Sequence, residues 1–81
     1  MTYIATFFSH FGAIKFKKLC EARGLSAVTM PVPRSLSSSC GICCRFDADG
    51  IDHLKPFPEE LEKVVLLEAG GYRQLYHIDE Q

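Results

Sequence analysis

At 81 residues, with 47% apolar and 23% charged side chains, the chain suits one domain around one small core and is too apolar to be disordered. Nine Lys and Arg stand against ten Asp and Glu, a net charge of −1 that gives no electrostatic reason to expect nucleic acid or an anionic membrane as partner. No apolar run nears the roughly 18 residues of a spanning helix, and no basic-then-apolar leader opens the chain, so a cytosolic protein with reduced thiols is predicted.

Tyr3-Ile4-Ala5-Thr6-Phe7-Phe8 is β-branched and aromatic, and reads as a buried strand. Ser9 then supplies an N-cap hydroxyl for a helix from His10 to Arg23, and Gly24 follows at the left-handed cap position. Ala13, Phe16, Leu19 and Cys20 share the inner face of that helix. Residues 25–32 alternate, with Val28, Met30 and Val32 on one side and Ala27 and Thr29 on the other. Gly41 to Phe46 alternates again, placing Ile42, Cys44 and Phe46 opposite Cys43 and Arg45.

Asp47 to Asp52 is turn chemistry; it lacks the downstream glutamate that a calcium loop needs. Pro58 with Glu59 and Glu60 predicts the start of a second helix, its inner face traced by Leu61, Val64 and Val65 and its end marked by Gly70-Gly71. Tyr72 to Ile78 is the last strand. Nothing repeats and no linker divides the chain, so residues 1–81 form one domain.

The order βαββαβ predicts an α+β, ferredoxin-like fold: a four-stranded antiparallel sheet with two helices on one face. Right-handed connection then sets the first two strands parallel, with the third between them. In that arrangement the loop between strands two and three meets the start of the first helix. Cys40 is thereby placed near Ser9 and His10. With Val28 and Met30 turned to the helices, the other sheet face would carry Thr29, Cys43 and Arg45. The first and last strands would add an aromatic each, from Tyr3/Phe7 or Ile4/Phe8 and from Tyr72/Tyr76, at least one of them uncovered beside Arg45. That face is expected to dock a partner enzyme or a second copy.

The loop itself, from Pro31 through Arg34 and the serines to Cys40-Gly41, concentrates three of the four cysteines at its end and in the strand it enters. A thiol beside a helix N-terminus and an arginine favours the thiolate, which is the nucleophile. Cys40, with His10 and Arg34 nearby, is therefore the candidate reactive group. Cys20 and Cys44 read as small core residues. Cys40-Gly41-Ile42-Cys43 has CxxC spacing, yet in a strand its ends lie about 10 Å apart on opposite faces, so a disulfide would need a tight turn at Cys40-Gly41. Cys43 stands as the candidate resolving thiol. No metal site is predicted: Cys43 and Cys44 diverge, and neither His53 nor His77 offers zinc-ligand spacing. No cofactor is called for.

Pro31-Val32-Pro33-Arg34 followed by Leu36-Ser37-Ser38-Ser39-Cys40-Gly41-Ile42 resembles a family of small bacterial proteins described as "putative Se/S carrier protein-like". The Tyr-Ile-Ala-Thr-Phe strand, the helix opening near Ser9-His10 and Tyr76 in a closing strand fit the same family. The resemblance implies a carrier rather than a turnover enzyme, which accepts sulfur or selenium on Cys40 from a cysteine desulfurase-type donor and passes it to an acceptor enzyme. Arg34, Ser38, Ser39, Gly41 and His10 would then surround the anionic cargo. Two other functions fit the residues. One is a non-catalytic module that holds a small anion on Arg34, Ser38, Ser39 and Arg45, or regulates a larger enzyme. The other is a thiol–disulfide oxidoreductase using Cys40 and Cys43.

Overall fold

A computed structural model describes residues 1–36 and 38–78; Ser37, in the serine run, and residues 79–81 lie outside the described residues. In chain order the elements are β1 (Thr2–Phe7), α1 (His10–Ala22), β2 (Ala27–Pro31), β3 (Ile42–Asp47), a 3-10 turn at Asp52–Leu54, β4 (Leu61–Glu68) and β5 (Gly71–His77). The five strands make one antiparallel sheet in the order β2-β3-β1-β4-β5.

The ferredoxin-like expectation of four strands and two helices is therefore corrected. α1 is the one α-helix among the described residues, and the segment predicted as a second helix is strand β4. Leu61, Val64, Val65 and Glu68 do carry helical spacing, but a stronger demand lies outside the segment. β1 is buried along five of its six residues and needs a partner on the edge that β3 leaves free. β4 fills that edge, with Ala5 opposite Val64 and Ile4 opposite Val65. Both neighbours are buried, Val64 under the helix and Val65 on the far side, because successive side chains of a strand point to opposite faces. The two residues Ala69-Gly70 turn β4 directly into β5, which pairs from Glu68–Gly71 onward.

The first half of the chain has β1 and β2 parallel, with β3 between them, joined by α1. Ser9 caps α1, its hydroxyl accepting from the Gly12 N–H at 3.1 Å. Phe16 of α1 packs edge-on to Phe46 of β3, with ring centroids 5.2 Å apart, and against Phe7 of β1 at 5.5 Å. Beyond the helix, Leu54 and Phe57 from the β3–β4 connection complete the same layer, Phe57 packing on Tyr76 at 4.7 Å. Arg23 at the helix end donates to the His53 carbonyl and ties that connection down.

The opposite sheet face is not the bare surface expected. Ile4, Cys43 and Val65 are almost fully buried there, beneath Met30, Val32, Leu36 and Tyr72. The side assigned to β2 is also reversed: Met30 pairs with Cys43 and Val28 with Arg45, so both lie away from α1, while Ala27 packs into the helix-side core. Directly paired residues share a face, and it is the register with β3 that sets the side. The aromatic on this face is Tyr72, on β5, with β1 and β4 between it and Arg45 on β3. Among the described residues no helix is long and apolar enough to cross a membrane.

Candidate functional site

Cys40 sits at the end of the β2–β3 loop, half-buried against the helix-side core. Four attachments hold the loop around it. His10, the first residue of α1, places Nε2 3.0 Å from the Cys40 carbonyl oxygen, so that nitrogen carries the proton and donates. The Cys40 N–H donates to the Ser38 hydroxyl at 3.4 Å, and that hydroxyl in turn donates to the Phe7 carbonyl at 3.2 Å, at the end of β1. Gly41, with φ +78°, takes a left-handed turn that a side chain would strain. Its carbonyl accepts from Val32 N–H at 3.0 Å, closing the loop on itself.

The fourth attachment comes from β4. Glu62 accepts from the Ser39 N–H at 3.3 Å, from the Ser39 hydroxyl at 3.5 Å and from the Thr6 hydroxyl at 3.3 Å. Thr6 is the fully buried polar side chain of β1. Sequence reasoning missed Glu62 because it read residues 61–68 as a helix. Only the pairing of β4 with β1 carries that carboxylate to the loop, and no local signal announces it.

The predicted loop residues thus take different places. Ser38 and Ser39 use their hydroxyls within the scaffold, on Phe7 and Glu62. Arg34 is exposed in the turn closed by Leu36 N–H on the Pro33 carbonyl, and it makes no hydrogen bond or ion pair with Cys40 among the described residues. Arg45 is exposed on the far sheet face, away from Cys40, which packs on the helix side. The anion set Arg34, Ser38, Ser39 and Arg45 is therefore not assembled around one point.

All four cysteines are free thiols. Cys40 donates its S–H to the Ile42 carbonyl at 3.3 Å. Cys43 is fully buried on the opposite face and directs its thiol to the Pro31 carbonyl at 3.7 Å. Cys40 and Cys43 belong to different sides of the sheet, as extended spacing requires. Burial, and then the charge of Cys40, push the Cys43 thiol above its ordinary range. Cys20 and Cys44 are both fully buried and meet between α1 and β3. Hydrogen bonding to Cys20 and then burial hold Cys44 as a thiol, well above the ordinary range. Neither residue of that pair offers an accessible nucleophile. No group of three or more His, Cys, Asp or Glu side chains is placed to share a metal ion among the described residues.

No curated protein and no solved structure matches this chain. The family model described as "Putative Se/S carrier protein-like" matches residues 2–65, which take in β1, α1, the Cys40 loop and Glu62. The chain belongs to that family.

Proposed function

We propose that the protein is a sulfur or selenium carrier that holds its cargo as a persulfide or selenopersulfide on Cys40. The observation that carries this reading is the division of the four thiols. Cys20, Cys43 and Cys44 are fully buried, whereas Cys40 alone is partly accessible, on a loop whose backbone is tied to α1, β1 and β4. A carrier needs one reachable thiol and no second thiol able to expel the cargo as a disulfide. Cys43, on the other side of the sheet, is badly placed for that second step, which weighs against the oxidoreductase alternative.

In loading, the Cys40 thiol loses its proton to solvent and its thiolate attacks the terminal sulfur of a donor persulfide. The bond between that sulfur and the donor cysteine breaks as the new S–S bond to Cys40 forms. The electron pair leaves on the donor thiolate, so the donor sulfur is reduced and Cys40 is oxidised by the same two electrons. Delivery repeats the exchange with Cys40 as leaving group. His10, Ser38 and Ser39 shape the loop in this scheme. Arg34 stands at its outer turn, where a partner can meet it.

Incubation with a cysteine desulfurase and cysteine should add about 32 Da at Cys40, and a selenium source about 80 Da. Absence of the adduct, or an adduct that persists in Cys40→Ser, refutes the carrier.

A further inference from the structure

The outer face of α1 is unlike an ordinary solvated helix face. At 100° per residue, His10, Phe11, Ile14, Lys15 and Lys18 fall on one stripe on the side of α1 away from the buried Ala13, Phe16 and Cys20. Phe11 is 65% exposed and Ile14 51% exposed, and Phe8, two residues before His10, is 36% exposed. Lys15 lies over the Phe11 ring, 5.4 Å from its centroid, while its ammonium also pairs with Glu60 at 3.4 Å. Residues 10–23 hold four of the nine basic side chains and one of the ten acidic ones, a segment charge of +3 against −4 for the rest. The stripe begins at His10, the residue that touches Cys40.

We propose that this stripe is the docking surface for the sulfur-donor enzyme, a partner presenting an apolar patch with an acidic rim beside a protruding persulfide cysteine. The proposal rests on the carrier reading and names the partner of the same site. Charge sets the sign: a basic stripe inside an otherwise acidic chain steers an acidic surface to this end of the molecule. The apolar side chains supply the short-range part, since exposed aromatics of this kind act as anchors when a partner covers them. The loop decides who moves. With Cys40 held at its carbonyl, its N–H and both neighbouring residues, the thiol has little reach. The donor must therefore bring its own sulfur to Cys40. A second copy fits poorly, because a two-fold contact through this stripe would set its lysines, Lys15 and Lys18, against the same lysines of the other copy.

The test compares two ways of loading Cys40, with a purified cysteine desulfurase plus cysteine and with inorganic polysulfide, each followed by intact mass. In Phe11→Ser/Ile14→Ser the ratio of desulfurase-dependent to polysulfide-dependent rate should fall about tenfold or more, the scale of losing an interface anchor. Lys18→Glu and added salt should lower the same ratio. A ratio unchanged in both variants while both donors load Cys40 overturns the docking surface alone. Loading by polysulfide but not by the desulfurase overturns it too. If neither donor loads Cys40, the carrier reading fails and takes the surface with it. Dimerisation lost in the double variant, or binding to vesicles of anionic lipid, would give the stripe another occupant and overturn the proposal.

Discussion

Glu62 does for the Cys40 loop what no side chain within the loop does. One carboxylate accepts from the backbone and hydroxyl of Ser39 while also satisfying Thr6, whose hydroxyl is sealed from water. Its removal leaves a buried hydroxyl unpaired, which costs about 1–3 kcal/mol, and cuts the loop from β4. Glu62→Ala is therefore expected to lower the urea midpoint and to speed iodoacetamide alkylation of Cys40, since the freed loop uncovers the thiol. Equal alkylation rates in variant and wild type would show that the carboxylate does not hold the loop. In both proteins Cys40 should react first, with Cys20, Cys43 and Cys44 slow until the fold opens. A native Cys20 as fast as Cys40 contradicts the burial on which the carrier reading depends.

At the scale of the element, β3 separates two adjacent cysteines into two environments. Alternation along the strand turns Cys44 into the helix-side core and Cys43 into the opposite layer. Cys43 has a thiol value raised by burial in the folded chain, whereas the unfolded chain has the ordinary value near 9.0. Above that value the unfolded state sheds the Cys43 proton while the folded state keeps it. Stability from this thiol is thus fully present at neutral pH and is lost as the pH climbs past 9. The slope is at most about 1.4 kcal/mol per pH unit for one such group. Urea unfolding under reducing conditions between pH 7.5 and 10 should show wild type declining more steeply than Cys43→Ala. Parallel curves would mean that Cys43 ionises as easily in the fold as out of it.

Across the whole molecule, one sheet is covered unevenly. On one face α1 covers part of the sheet and the irregular β3–β4 connection covers the rest, with Leu54 inserted at 1% exposure where a second helix was expected. On the other face the start of the β2–β3 loop folds back, laying Val32 and Leu36 over Ile4 and Cys43. The loop that presents Cys40 is thereby also part of the second core, which couples the site to the stability of the domain. A connection segment with so few apolar residues depends heavily on each. Leu54→Ala should cost about 2–4 kcal/mol, read as a fall in the urea midpoint. Leu75→Ala, at a position 41% exposed, should cost far less. Similar losses at the two sites would mean that the connection is not packed as core.

The sequence by itself determined the elements whose signals are local. β1 is a run of β-branched and aromatic residues, α1 has a capping serine before it and a glycine after it, and β3 sets Ile42, Cys44 and Phe46 on one face against Cys43 and Arg45 on the other. It also determined that Cys40 meets the start of α1, because a parallel β1 and β2 with β3 between them leaves the β2–β3 loop no other end of the sheet. What only the tertiary structure decided are the choices that depend on a distant partner. Residues 61–68 carry the spacing of a helix, and the unpaired edge of β1 makes them a strand. Val28 and Met30 share one face whichever way β2 is turned, and pairing with Arg45 and Cys43 turns it away from α1. Glu62 reaches the Cys40 loop only after both of those pairings exist. Periodicity records which residues share a side; the side itself belongs to the neighbour that completes the hydrogen bonds.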